Sequence, residues 1–286
     1  MSSSSYYVPA TSKWPIIAVV VMGFLMVGAG MLMTRGEGLL LLLIGLVGVV
    51  WVFVGWFGDV MKEANAGLYD AQMDRSFRQG MAWFIFSEVM FFAAFFGALF
   101  YIRTFALPWL DGEGAKGVTA LLWPDFVASW PLMNTPDPSI GGPREVVNPW
   151  TLPLINTLLL VTSSVTLTFA HHALKAQKRI QLRNWLIVTL VLGGVFLVVQ
   201  GVEYVHAWTE LGLTLQAGIY GATFFLLTGF HGVHVTIGAI ILLVMLVRVL
   251  RGHFTPEKHF AFEAAAWYWH FVDVVWIGLF LFVYVF

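Results

Sequence analysis

The chain has 286 residues, of which 59% are hydrophobic and 11% are charged, with a formal net charge of -1 and a mean hydropathy of +0.82. Soluble domains carry about 25% charged residues, so this composition excludes a soluble globular protein. The balanced charge excludes a nucleic-acid-binding protein, which needs an excess of Lys and Arg. Because the chain has no Cys, it cannot form disulfides, zinc–thiolate sites or iron–sulfur clusters.

Seven apolar runs are long enough to cross a bilayer, which takes roughly 20 residues per helix. The runs are continuous rather than alternating, and this favours helices over a β-barrel. The sequence therefore predicts an all-α integral membrane protein. The first run is too long for a cleavable signal peptide, and no cleavage site follows it. The predicted helices cover residues 14–34, 39–57, 80–102, 152–174, 185–206, 218–247 and 264–286.

The polar segments divide the chain into two predicted parts. Residues 35–38 are short enough to join the first two helices in a hairpin, so residues 1–57 form one part. A polar cytoplasmic linker, residues 58–79, leads to a five-helix bundle at residues 80–286. Within that bundle, residues 103–151 are predicted to form a periplasmic loop. Its central part, residues 108–149, is rich in Trp, Pro and Gly and is expected to be ordered.

The distribution of basic residues predicts the orientation of the helices. Seven spans place eleven of the fifteen Lys and Arg residues on one side of the membrane. Because the positive side of a membrane protein faces the cytoplasm, we expect the N-terminus there and Phe286 on the opposite side.

Glu88 is an ionisable residue inside a predicted span. It lies eight residues after Gly80, about 12 Å along the helix, among Trp and Phe residues. Placing a charge there costs about 2.5–3.5 kcal/mol on insertion scales. One interpretation is a carboxyl that holds or senses a proton. The other is a neutral acid that hydrogen-bonds a neighbouring helix as a structural clip. The local sequence leaves both open.

The histidines allow a metal-binding or a structural interpretation. His231 and His234 are three residues apart and share a helix face, and neutral imidazole binds heme iron, copper and zinc. This spacing is weak support for a metal site. His270 lies three residues before Asp273, close enough for the two to pair. Polar clips between helices are therefore the favoured interpretation.

Several polar residues map to the cytoplasmic ends of the predicted helices. Together they are suited to the phosphate of a phospholipid, although the same residues are also explained by membrane topology alone. They are Trp56, Glu63, Arg78, Arg248 and Arg251.

Long stretches of the chain closely resemble subunit III of the heme-copper oxidases of the cytochrome c oxidase type. The most specific is residues 262–276, FEAAAWYWHFVDVVW. The others are residues 87–92 (SEVMFF), 152–157 (LPLINT), 170–173 (AHHA), 203–204 (EY), 228–234 (TGFHGVH) and 253–255 (HFT).

This resemblance implies seven helices, split two and five by a V-shaped cleft filled with phospholipid. It implies a subunit without heme or copper, since those metals belong to subunits I and II. The chain is then expected to contact subunit I, to stabilise it during oxygen reduction and to support proton uptake. Cytochrome c would give electrons to the complex and not to this chain. We expect a bacterial inner membrane, from the divergence of the sequence.

The resemblance also assigns roles to single residues. Glu88 falls on the carboxyl linked to proton uptake. Trp56, Glu63, Arg78 and Arg248 fall on positions of the lipid cleft. Residues 67–70 (GLYD) replace a Gly-x-His-Thr-type segment of relatives, so one headgroup partner is expected to be missing. The remaining buried polar residues are implied to be structural clips. These are His171, His172, Glu203, His231, His234, His270 and Asp273.

Three other functions remain as alternatives. Subunit III of a quinol oxidase is one, although that relative typically lacks the first helix pair, which this chain has. A heme-bearing membrane protein would use His231, His234 and His270. A small-molecule transporter would use Glu88 as its proton-coupled site.

Overall fold

A computed structural model describes residues 11–137 and 139–286, except for the side chains of Ala115 and Lys116. Seven helices in this part of the chain are long and apolar enough to cross a membrane, as predicted. A helix satisfies its own backbone hydrogen bonds, which is why each apolar run adopts this form. The helices are α1 (Trp14–Arg35), α2 (Leu39–Asn65), α3 (Ala71–Tyr101), α4 (Leu152–Lys175), α5 (Arg179–Thr209), α6 (Gly218–Leu250) and α7 (Phe260–Leu279).

Most of the predicted linker at residues 58–79 is helical, which differs from the sequence-based expectation. Helix α2 continues to Asn65 and α3 begins at Ala71, so only residues 66–70 connect them. Asp70 caps α3, because its Oδ1 accepts the backbone N–H of Met73 at 2.8 Å. Such a cap satisfies a donor that the first turn of a helix leaves unpaired. Polar turns thus extend the helices beyond their apolar segments.

The chain divides into two compact units, Met1–Gln79 and Gly80–Phe286. In the first unit, α1 and α2 pack closely through small residues. A Cβ on Gly28 would lie 2.3 Å from the backbone N of Leu42, so this approach requires glycine. At the other end of the hairpin, Trp14 Nε1 donates to Asp59 Oδ2 at 2.9 Å.

Helix α7 lies at the centre of the second unit. Trp269 and Trp276 on this helix are fully buried. Trp269 Nε1 donates to Ser163 Oγ of α4 at 2.9 Å, and Trp276 Nε1 donates to Thr157 Oγ1 of the same helix at 3.0 Å. Helices α4, α5 and α6 pack around α7 and one another, and they hold its polar side chains in fixed positions.

Several described residues of the long segment between α3 and α4 pack against the rest of the second unit. Helix α3 continues through a π-helix, Ile102–Ala106, into a single turn, Leu107–Leu110. Farther along, Leu132 is buried, the Trp130 ring contacts Tyr220 edge-on with centroids 5.3 Å apart, and the backbone N–H of Arg144 donates to Leu211 O at 2.8 Å.

Candidate functional site

Glu88 of α3 is paired with His234 of α6. The Glu88 Oε2 and His234 Nε2 atoms are 2.7 Å apart, although 146 residues separate the two in the chain. Their side chains are 21% and 12% exposed. Both residues belong to the second unit, so a carboxyl and an imidazole meet inside the helix bundle.

The hydrogen bonds of His234 determine how many protons this pair holds. His234 Nδ1 lies 2.6 Å from the backbone oxygen of Phe230. A carbonyl only accepts, so Nδ1 carries a proton and donates it. The short contact between Nε2 and Oε2 then needs one further proton. That proton belongs either to a neutral carboxylic acid or to an imidazolium beside a carboxylate. In both forms the Glu88–His234 pair holds one exchangeable proton and has no net charge.

Aromatic rings enclose the His234 imidazole. Its centroid lies 5.0 Å from that of Phe92 and 5.7 Å from that of Phe91. Phe91 also contacts the Phe230 ring at 5.2 Å. These apolar rings keep competing water away from the shared proton and strengthen the hydrogen bond that holds it.

His231 and His270 bond to different helices from the one that His234 contacts. His231 Nε2 lies 3.1 Å from the backbone oxygen of Val272 on α7. The spacing in the sequence suggested that His270 pairs with Asp273. In the structure, His270 Nδ1 instead lies 2.6 Å from Ser164 Oγ on α4. The three imidazoles of the heme-bearing alternative thus take part in three separate contacts, which supports their interpretation as clips.

Glu203 of α5 belongs to a hydrogen-bond network that links α5 to α4 and to the π-helix Phe280–Val285 after α7. Its Oε1 accepts a hydrogen bond from Tyr284 Oη at 2.6 Å and a longer one from Gln200 Nε2 at 3.4 Å. Gln200 Oε1 in turn accepts from Asn156 Nδ2 of α4 at 3.3 Å. The sequence singled out Glu203 but not Tyr284, which lies 81 residues away in the chain.

The two adjacent histidines at the end of α4 have different surroundings. His171 is half-buried, and its ring centroid lies 5.5 Å from that of His259. His172 is exposed, which does not fit the expected interhelical clip. His259 was not singled out from the sequence, although it directly precedes α7 and lies four residues before Glu263.

Three of the four expected lipid-binding residues lie in the first unit. Glu63 Oε2 accepts a hydrogen bond from Tyr69 Oη at 2.7 Å. Arg78 Nε bonds to Asp74 Oδ2 at 2.7 Å, one helical turn away. Trp56 of α2 is 40% exposed.

The fourth expected lipid-binding residue, Arg248, is a buried cation on α6 in the second unit. It is 8% exposed. Its guanidinium lies 4.5 Å above the Phe254 ring, and Nε is buried without a hydrogen-bond partner among the described residues. A buried guanidinium normally bonds an anion, so the side chain has capacity for one.

Comparison with known proteins identifies the family. The family described as "Cytochrome c oxidase subunit III" matches residues 4–109 and 125–286. The chain is 38% identical to cytochrome c oxidase subunit 3 of Papio hamadryas over 281 residues, which cover 98% of this chain and 96% of that protein. The Homo sapiens protein of the same name is 37% identical over 290 residues, or 99% and 97% of the two chains. The chain belongs to the cytochrome c oxidase subunit III family.

Membership makes the chain a multi-pass membrane component of cytochrome c oxidase, with other subunits of that oxidase as its partners.

Residues 67–70 form hydrogen bonds at the junction of α2 and α3. Tyr69 bonds Glu63, and Asp70 caps α3. The segment that was expected to lack a headgroup partner therefore stabilises the turn between α2 and α3 and orients the Glu63 carboxylate.

Proposed function

We propose that the chain is the accessory, non-redox subunit of a proton-pumping cytochrome c oxidase. It contacts subunit I directly and stabilises it while the complex reduces oxygen to water. The hemes and copper belong to subunits I and II, and cytochrome c delivers electrons to the complex. The hydrogen-bonded positions of His231, His234 and His270 support this assignment, because each ring is engaged in its own contact.

The Glu88–His234 pair carries the proposal that this subunit supports proton uptake. The proton shared across the 2.7 Å contact can move between the carboxyl and the imidazole without changing the net charge of the pair. Its release leaves the Glu88 carboxylate negatively charged, and uptake of a proton restores the neutral pair. Proton transfer between two adjacent groups is efficient when each can hold the proton. The pair thus acts as a proton-holding element beside the catalytic subunit during turnover.

Substitution of Glu88 by Gln tests this role. The Gln amide donates a hydrogen bond to His234 Nε2, so the α3–α6 contact is kept while the titratable carboxyl is lost. We expect E88Q to assemble into the oxidase but to take up protons more slowly and to inactivate after fewer turnovers. S87A is the matched control, since the hydrogen bond that Ser87 Oγ donates to Phe84 O at 2.7 Å lies within one helix. Normal uptake kinetics in assembled E88Q would leave Glu88 with a structural role alone.

We also propose that the subunit binds phospholipid, with Arg248 as a phosphate-binding group and Trp56, Glu63 and Arg78 lining the lipid cleft. The buried guanidinium of Arg248 supports this role, because its Nε has no hydrogen-bond partner among residues 11–137 and 139–286 and a lipid phosphate would supply one. An open apolar groove of about 500 Å³ between α3 and α7, bordered by Ile85 and Trp267, has the character of a site for an acyl chain.

Native mass spectrometry of the purified oxidase tests the role of Arg248. We expect R248A to lose one tightly held phospholipid. R251A removes the same charge from an exposed position three residues farther along and should keep the lipid. A wild-type lipid count in R248A would show that Arg248 binds no phosphate.

The proposed location is a bacterial inner membrane, with a cytoplasmic N-terminus and a periplasmic C-terminus. The basic residues of the 175–183 segment support this orientation. Because the chain has no Cys, a single Cys introduced at Ala176 is its only thiol and reports the side of the membrane on which this segment lies. A membrane-impermeant thiol reagent should label it only from the cytoplasmic side.

A further inference from the structure

Two histidines and a glutamate converge where α4 ends and α7 begins. His171 lies in the last turn of α4, His259 directly precedes α7, and Glu263 is in the first turn of α7. One ligand atom from each of the three lies within 4.8 Å of the others. All three belong to the second unit, and none has a part in the Glu88–His234 pair or the lipid sites.

Local structure and helix packing both hold this cluster together. His259 and Glu263 are four residues apart, and the backbone N–H of Glu263 donates to His259 O at 3.2 Å. This bond holds His259 against the first turn of α7, where its imidazole and the Glu263 carboxylate lie close together. Helix α4 brings His171 to that face because Ser163 Oγ accepts the Trp269 indole N–H at 2.9 Å.

One nitrogen of each imidazole in this cluster is buried and has no hydrogen-bond partner among the described residues. His171 Nε2 and His259 Nδ1 are shielded from solvent and have no hydrogen-bond partner within residues 11–137 and 139–286. Leaving a buried polar atom unpaired costs about 1–3 kcal/mol. A cation between the two rings removes both costs, because the lone pair of a neutral imidazole nitrogen is a metal ligand.

We propose that His171 Nε2, His259 Nδ1 and a Glu263 carboxylate oxygen bind a Zn²⁺ ion, with water as the fourth ligand. Two imidazoles and one carboxylate suit zinc, whereas Mg²⁺ and Ca²⁺ select oxygen ligands. In a tetrahedral site with bonds of about 2.0–2.1 Å, neighbouring ligand atoms stand roughly 3.3 Å apart. Because the present separations are within 4.8 Å, side-chain rotation that closes them by at most about 1.5 Å gives this geometry.

The ion would fasten the end of α4 to the start of α7 and hold the intervening segment at residues 251–259. That segment carries Phe254, which lies against the Arg248 guanidinium. Zinc here would overturn the expectation that the chain binds no metal, while the proposed absence of heme and copper would stand.

Zinc analysis of the assembled oxidase tests this site. The wild-type complex and its variants are stripped with a chelator, equilibrated with zinc chloride in a zinc buffer, and analysed by inductively coupled plasma mass spectrometry. We expect H171A and E263Q each to hold one zinc fewer per complex than wild type. H172A is the matched control, because His172 is the exposed neighbour outside the cluster, and it should retain the wild-type count. Equal zinc in H171A, E263Q and wild type would overturn the proposal.

A second measurement uses wild-type protein and does not depend on whether the variants assemble. Crystals of the oxidase equilibrated with zinc chloride should give an anomalous difference peak at the zinc edge, about 2.0–2.1 Å from His171 Nε2 and His259 Nδ1. A map without a peak between these rings would refute the site.

Discussion

Glycine at position 193 is predicted to be essential for the approach of α5 to α7, whereas Gly194 is replaceable. A Cβ on Gly193 would lie 2.7 Å from Trp269 Cη2 and 2.9 Å from Cζ2. The ring cannot easily move away, because its opposite edge lies 2.9 Å from the position of a Cβ on Gly238, and Ser163 holds its indole N–H. A Cβ on Gly194 would meet nothing within 4 Å.

The expected magnitude follows from comparing G193A with G194A. Replacing a mid-helix glycine with Ala favours the helix by roughly 0.5–1 kcal/mol in either variant, so this gain cancels in the comparison. Overpacking costs about 1–3 kcal/mol and applies to G193A alone. G193A should therefore be less stable than G194A by about 1–3 kcal/mol.

The assay is unfolding of the purified chain by SDS titration in mixed micelles, followed by near-ultraviolet circular dichroism of its tryptophans. In a G193A background, the W269F substitution replaces the indole with a smaller ring and should recover part of the lost stability. Equal unfolding free energies for G193A and G194A, to within about 0.5 kcal/mol, would refute the tight contact between Gly193 and Trp269.

Two further predictions use the same assay. D70A should lose about 0.5–2 kcal/mol of stability, because Asp70 Oδ1 caps the Met73 N–H. D70N keeps an acceptor and should lose much less. If D70A unfolds with the wild-type free energy, the cap does not stabilise the protein. Y284F should cost about 1–3 kcal/mol, because it removes the O–H that donates to the buried Glu203. Y101F, at an exposed tyrosine, is its control, and a Y284F as stable as Y101F would contradict the importance of this bond.

The apolar runs predicted the existence of the spans but not their ends. Residues 58–65 and 71–79 are polar enough to resemble a linker, yet they are helical. Hydropathy reports the part of a helix that lies in hydrocarbon, and a helix that continues into the polar region leaves no apolar signal there. The cap at Asp70 is a local signal of the start of α3 that marks this boundary better than hydropathy does.

For the candidate sites, the sequence indicated an important residue but not its hydrogen-bond partner. Glu88 stood out because an acidic residue inside an apolar run is costly. Its partner His234 did not follow from local spacing, since 146 residues lie between them. His270 has an acid three residues away but bonds Ser164 on another helix. In a bundle, the neighbour of a buried polar group is set by helix packing rather than by sequence distance.

The sequence alone determined that this protein is a seven-helix membrane protein of the subunit III family, because the bilayer requires long apolar helices and the shared residue patterns are long. Only the tertiary structure decided which polar groups meet: Glu88 with His234, Glu203 with Tyr284, and His171 with His259 and Glu263. These contacts depend on the rotation and depth of each helix against its neighbours. Side-chain packing across the bundle fixes both, and no single segment contains that information.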